Sequence, residues 1–136
     1  MTIQDMEIAI PYTQARDALA VLRHHYRTAK RYPLLPIHIR CSPPSGHWLS
    51  PAYGREICWM EFWQFPRSDR AFKDIHDVLK SFDCRFHWGK ENPADRAYVK
   101  SRYEKWDAFV GLRDQWDPAR MFVNPYLSSF FPPSQE

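Results

Sequence analysis

Glycine is scarce in this chain: four residues in 136, at 46, 54, 89 and 111, none close to another. That spacing excludes a glycine-rich loop able to cradle a phosphate. Cysteine is scarce too. Cys41, Cys58 and Cys84 form an odd set with no CxxC pair, which argues against a disulfide framework or a zinc site and suits small buried side chains in a reducing compartment. No apolar run approaches membrane-spanning length, and residues 1–10 are too polar for a signal peptide. The expected location is therefore cytoplasmic. Charge of one sign is missing as well. A net charge of +3, with acidic and basic residues interspersed, gives no basic block for nucleic acid. No His/Cys/Asp/Glu spacing suggests a metal site, and no serine or cysteine stands beside an obvious base.

What the chain has is aromatic side chains, 16% of residues, enough for broad packing surfaces and a face for a ligand or partner. The length suits one domain with a proper core. Met6–Ile10 alternates as a strand, and Thr13 is placed to cap a helix reaching about Lys30, with Ala15, Ala18, Leu19, Leu22 and Tyr26 as its stripe. Ile37–Cys41 alternates again. A Pro/Gly/Ser-rich loop covers 42–55, and Ile57–Phe65 is a long aromatic strand. Ser68 or Asp69 would cap a second helix carrying Phe72, Ile75, Leu79 and Phe82. Cys84–Trp88 is a fourth strand. A helical region opens at Asn92 or Asp95, sets Tyr103, Trp106, Phe109, Val110 and Trp116 inward, and stops at Asp117-Pro118; residues 121–131 read as an irregular apolar tail. The order βαββαβ predicts an α+β, ferredoxin-like antiparallel sheet with both helices on one face, followed by a C-terminal helical segment and tail.

Alternation sorts the strands into two faces. One gathers Ile8, Ile10, Ile37, Ile39, Cys41, Cys58, Met60, Phe62, Cys84, Phe86 and Trp88, a core face. The other gathers Glu7, His38, Arg40, Trp59, Glu61, Trp63, Arg85 and His87. A sheet face left to water is normally plain polar. Two tryptophans among charges read either as a binding surface or as aromatics packed along the stems of Arg and Glu. Arg40 reads either as a site cation or as a cross-strand partner of Glu61.

Several segments then coincide with a known family: Met6-Glu7-Ile8-Ala9-Ile10-Pro11, Pro36-Ile37-His38-Ile39-Arg40, Trp48-Leu49-Ser50-Pro51-Ala52-Tyr53-Gly54-Arg55, His87-Trp88-Gly89-Lys90, and Tyr103-Glu104-Lys105-Trp106 through Asp117-Pro118 to Phe122-Val123-Asn124-Pro125-Tyr126-Leu127. In this order they resemble the C-terminal, substrate-side part of the FAD-linked sugar-lactone oxidases (D-arabinono-1,4-lactone, L-gulono-1,4-lactone and alditol oxidases). The resemblance implies oxidation of a CH–OH group, with FAD as hydride acceptor and oxygen reduced to hydrogen peroxide. It implies catalytic roles for Arg40 and Lys90 and a cofactor-facing group of Lys90, Asn124 and Tyr126; the face read from alternation adds His38 as a catalytic candidate and Glu61, Trp59, Trp63 and His87 as candidate substrate contacts. The sequence departs from the family at two points. His38 stands where a glutamate is expected, and Glu61 where alditol oxidases carry a histidine.

The implied division is a ferredoxin-like core over 1–90 and a helical extension over 91–136, with the flavin domain absent. The chain alone is then expected neither to hold FAD nor to turn over. Its partners would be an FAD-binding domain or subunit and a sugar lactone or polyol, with peripheral membrane association left open by some relatives. The alternative is a free-standing, non-enzymatic or self-associating module that uses the Trp59/Trp63 face.

Overall fold

The computed structural model describes residues 2–30, 32–33, 35–65 and 70–132. The expected caps Ser68 and Asp69 lie outside them. Four strands form one antiparallel sheet: β1 (Gln4–Pro11), β2 (His38–Ser42), β3 (Ile57–Gln64) and β4 (Arg85–Phe86), in the order β2-β3-β1-β4. Helices α1 (Ala15–Ala29) and α2 (Ala71–Leu79) lie between them in sequence, so the α+β ferredoxin-like expectation holds. Both pack on one face. Ala18, Leu22, Phe72, Ile75 and Leu79 meet Met6, Ile8, Ile10, Met60 and Phe62 in one buried cluster. Burying such side chains stabilises by about 1.5–3 kcal/mol each, and this sets which way the sheet faces.

The register agrees with the alternation. Glu7 lies opposite Glu61 and Glu61 opposite His38, while Ala9, Trp59 and Arg40 form the next row. Two side chains assigned to the core face are nonetheless open. β2 is the edge strand beyond the reach of the helices, leaving Ile39 44% exposed and Cys41 exposed. Thr13 does not cap α1. A 3-10 turn over Tyr12–Gln14 leads into the helix, and no side chain caps it.

The C-terminal part departs further from expectation. The expected helical region is present as two helices, α3 (Arg96–Ser101) and α4 (Trp106–Trp116), while the tail expected to be irregular contains α5 (Pro125–Phe130). Asp95 caps α3 by accepting from the Tyr98 N–H at 2.7 Å, and Asn124 caps α5 by accepting from the Leu127 N–H at 2.8 Å. Proline at the first position of α5 loses no bond there. Phe130 and Phe131 fold back onto Trp88 and Trp106, but Trp116, expected inside, is 82% exposed at the last turn of α4.

Candidate functional site

The second face of the sheet divides in two. The 42–56 loop lies over one half, enclosing Ala9, Ala52, Ile57 and Trp59 as a small buried cluster. Its path is built from successive turns, and Gly54, at φ 71°, occupies the left-handed conformation that glycine takes at no steric cost. Arg85 fastens the loop: its guanidinium donates to the carbonyls of Pro51 (3.1 Å), Tyr53 (3.0 Å) and Arg102 (2.9 Å). Arg55 closes the far end on Asp83, which also accepts from Arg102. Trp59 is therefore 7% exposed and donates to Ser42 Oγ at 3.0 Å. The expectation of an open Trp59/Trp63 surface is corrected on this point, because the loop that follows β2 covers half of it.

The other half carries a charged cluster. Glu7 is 2% exposed; its Oε1 accepts from Arg40 Nε at 2.8 Å and lies 2.8 Å from Arg40 Nη2 in an ion pair. Its Oε2 lies 3.4 Å from Lys90 Nζ. Lys90 also pairs with Asp5 Oδ2 at 2.9 Å and with Glu61 Oε1. Glu61 Oε2 meets His38 Nδ1 at 3.2 Å, and His38 stacks on Trp63 with centroids 6.1 Å apart. Arg40 thus pairs with Glu7, not with the anticipated Glu61: its side chain crosses over Trp59, 5.1 Å from the ring centroid, and reaches β1 two strands away. Asp5 and Glu7 were not singled out as site residues from the sequence. Their position on a strand alternating toward this face was the available signal.

The environment fixes the charges. Burial alone would raise the Glu7 carboxyl, but the hydrogen bond from Arg40 and the charges of Lys90 and Arg40 outweigh it and hold the group below its ordinary value. Burial likewise works against the Lys90 ammonium, and its bonds to Glu61 and Asp5 together with the Glu7 and Asp5 charges overcome it and raise it. Lys90 is therefore a fixed cation and not a base. Where the His38 ring donates its Nδ1–H to Glu61, Nε2 is left as an acceptor.

Backbone bonds hold the turn that presents Lys90. The His87 N–H donates to Glu7 O and the Glu91 N–H to Asp5 O, both at 3.0 Å, and the Gly89 N–H donates to His87 Nδ1 at 3.1 Å. The two-residue β4 thus continues as a tethered turn. Trp88 points the other way, donating to Leu49 O at 2.8 Å and packing on Tyr103 and Phe131. Lys90, Asn124 and Tyr126 line a common groove of about 580 Å3 with Asp5, Gly89 and Glu91. The Asn124 side chain is engaged in capping α5. His87 sits beside Trp59, with ring centroids 5.9 Å apart.

The open half of the sheet thus presents two cations, three carboxylates and a histidine, with no cradle for a dinucleotide among the described residues. Among the described residues the glycines stand singly: Gly111 lies within α4, Gly89 in the lysine turn, and Gly46 and Gly54 in the loop, so none builds a cradle for a pyrophosphate. No group of three or more His, Cys, Asp or Glu among the described residues could hold a metal ion, and no helix there is long and apolar enough to cross a membrane.

Residues 2–130 match the family described as D-arabinono-1,4-lactone oxidase. L-gulono-1,4-lactone dehydrogenase of Mycobacterium tuberculosis is 34% identical over 124 residues, covering 90% of this chain and 29% of that protein. L-gulonolactone oxidase of Mus musculus is 28% identical over 134 residues (90% and 30%), and alditol oxidase of a Streptomyces species 27% over 124 (89% and 30%). The chain spans about three-tenths of the length of these relatives.

Proposed function

The chain belongs to the D-arabinono-1,4-lactone oxidase family of FAD-linked oxidases, and from that premise we propose that it is the substrate-facing, C-terminal part of a sugar-lactone oxidase. The observation that carries this reading is the open half of the sheet, where Arg40 and Lys90 are pinned as cations beside His38. In the proposed reaction a CH–OH group becomes C=O, and oxygen takes up the two electrons and two protons as hydrogen peroxide. FAD, held by a separate flavin-binding domain, supplies the hydride acceptor. In this reading residues 1–90 are the substrate-facing core and 91–136 a C-terminal extension, of which Tyr103, Trp106 and Phe131 pack on Trp88 in the lysine turn.

This chain's own residues bind, orient and manage the proton. Arg40 and Lys90 stabilise negative charge as it develops on the substrate oxygen, a contribution that preorganised donors make without reorganising. His38 Nε2 takes the hydroxyl proton, and Glu61 holds the ring by Nδ1. Because both Glu61 oxygens are already engaged, its role is orientation rather than direct contact. Trp63 supports the His38 ring, and Trp59 supports Arg40 from below. The exposed Trp116 and Phe122, which line one apolar groove with Leu112 and Val123, favour a further domain over them, since apolar surface of this kind is usually covered. The relatives' names include both an oxidase and a dehydrogenase, so oxygen as acceptor is part of the proposal.

The test combines the chain with a flavin-binding domain from a family member and follows oxygen uptake and dye reduction with aldonolactones and alditols. Activity should appear only in the mixture. Arg40→Ala and Lys90→Ala should each lower kcat about 100- to 1,000-fold, the range seen when one oxyanion-stabilising donor is removed. Full activity in both variants would remove these roles. A yellow, active chain without a partner would overturn the dependence on a separate flavin domain.

A further inference from the structure

We propose that Cys41 and Cys58 form a reversible oxidation site, in which a peroxide oxidises the exposed Cys41 and Cys58 resolves it to a disulfide tying β2 to β3. The inference stands on the β2–β3 geometry and is independent of the oxidase reading. Cys41 and Cys58 are register partners, directly opposite each other in the antiparallel ladder. Opposed residues in such a ladder have Cα atoms about 4.5–5.5 Å apart, inside the roughly 4.4–6.8 Å window of a disulfide. Sharing a register position, they also share a face of the sheet.

Their environments differ in the way a two-step oxidation needs. Cys41 is exposed and Cys58 buried. Burial pushes the Cys58 thiol up to about 11, and the Cys41 thiol beside it adds to the shift, so Cys58 is a poor first target; its place opposite Cys41 in the ladder, not its acidity, makes it the resolving thiol. Among the described residues β2 is an edge strand, joined in the sheet to β3 alone, and its side chains are largely exposed. It can give by the roughly 1 Å that brings opposed Cβ atoms, about 4.5–5.5 Å apart in such a ladder, to the roughly 3.5–4.5 Å of a disulfide. Cys84 is the built-in control: it is buried, donates its thiol hydrogen to Leu79 O at 2.9 Å, and is pushed up to about 12 by burial.

The chemistry balances without a metal. Cys41–SH and a hydroperoxide ROOH give Cys41–SOH and ROH. The sulfenic acid and Cys58–SH then give the Cys41–Cys58 disulfide and water. Two thiols lose two electrons, and the peroxide O–O bond accepts them. The bond would fix the strand that presents His38 and Arg40, since Arg40 adjoins Cys41 on the opposite face. Residual strain in a directly cross-strand disulfide makes it easier to reduce, hence reversible rather than structural.

The test exposes the reduced chain to one equivalent of hydrogen peroxide, alkylates it, and maps it without reduction. The expected result is a Cys41–Cys58 cross-linked peptide, a thiol titre in denaturant falling from three to one, Cys84 still alkylated, and full recovery with dithiothreitol. Cys84→Ser should leave the link intact. Cys41→Ser, at an exposed position that keeps the fold, should abolish it. Cys58→Ser should leave a Cys41 sulfenic acid that dimedone traps, and should this variant fail to fold the wild-type and Cys41→Ser maps still decide. Three intact thiols, Cys41 oxidised to sulfinic acid with Cys58 free, a Cys41–Cys41 dimer, or a bond to Cys84 would each overturn the proposal.

Discussion

At the scale of single residues the charged cluster turns on Glu7. It is buried, yet one of its oxygens holds Arg40 while the other faces Lys90, and its backbone carbonyl accepts from the His87 N–H at the start of the lysine turn. Asp5 repeats the arrangement with Lys90 and the Glu91 N–H. Glu7→Gln keeps the shape and removes the charge. Arg40 is half in water and can recover there, whereas Lys90 keeps Asp5 and Glu61. The expected loss is therefore about 1–3 kcal/mol, that of one charge-assisted hydrogen bond, read from the urea midpoint at pH 7. An unchanged midpoint would show that the pair contributes nothing net. Period-2 alternation was enough to bring Glu7, His38, Arg40 and Glu61 to one face, because side-chain direction in a strand is fixed by parity. Pairing was not legible. It depends on how far each side chain reaches across Trp59 and on the small Ala9 beside it in the same row, which are matters of tertiary packing.

At the scale of elements, the loop between β2 and β3 decides how much of the face is open. Arg85 is its fastening, with three carbonyl acceptors and the Tyr103 ring 5.2 Å from the guanidinium carbon. A lysine cannot reproduce the planar fork. Arg85→Lys should destabilise by about 2 kcal/mol and make the 42–56 loop several-fold more sensitive to limited proteolysis, with cleavage mapped by mass spectrometry. Equal sensitivity would mean that turn bonds alone hold the loop. The sequence announced a Pro/Gly/Ser-rich loop but not where it lies, because no local pattern encodes docking onto a distant strand. The reverse applies to α5. Its signals, a capping Asn124 and Pro125 after it, were local and present, but a six-residue helix offers too little periodicity to stand out from an apolar tail. The break between α3 and α4 was hidden for a related reason, since aromatic side chains on both sides of it keep a helix-like spacing.

At the scale of the whole molecule, stability is tied to proton uptake at two buried groups. His76, which sequence reading passed over, is 7% exposed between Phe86 and Tyr98, with centroids at 5.2 and 4.7 Å, and its Nε2 is buried with no hydrogen-bond partner among the described residues. Burial is the largest influence and lowers its affinity for a proton. Among the charges around it, Asp77 and Asp95 pull upward, while Lys80 and Lys73 pull downward. The unfolded chain binds a proton at the ordinary histidine value of about 6.5, where the native chain does not. Stability therefore falls as pH drops below about 6.5, by at most about 1.4 kcal/mol per pH unit for one group, and the loss is complete once pH reaches the lower native value. Glu7 acts in a second, more acidic window. Its stabilisation is fully present above the ordinary carboxyl value of 4.5 and is lost as pH falls through its depressed native value. The two windows separate by mutation. His76→Leu should flatten the urea-derived stability between about pH 6.5 and 5 and leave the steeper acid limb in place, whereas Glu7→Gln should soften only that acid limb. A His76→Leu profile with the wild-type slope above pH 5 would assign that slope to other groups and show that His76 ionises as readily in the fold as outside it.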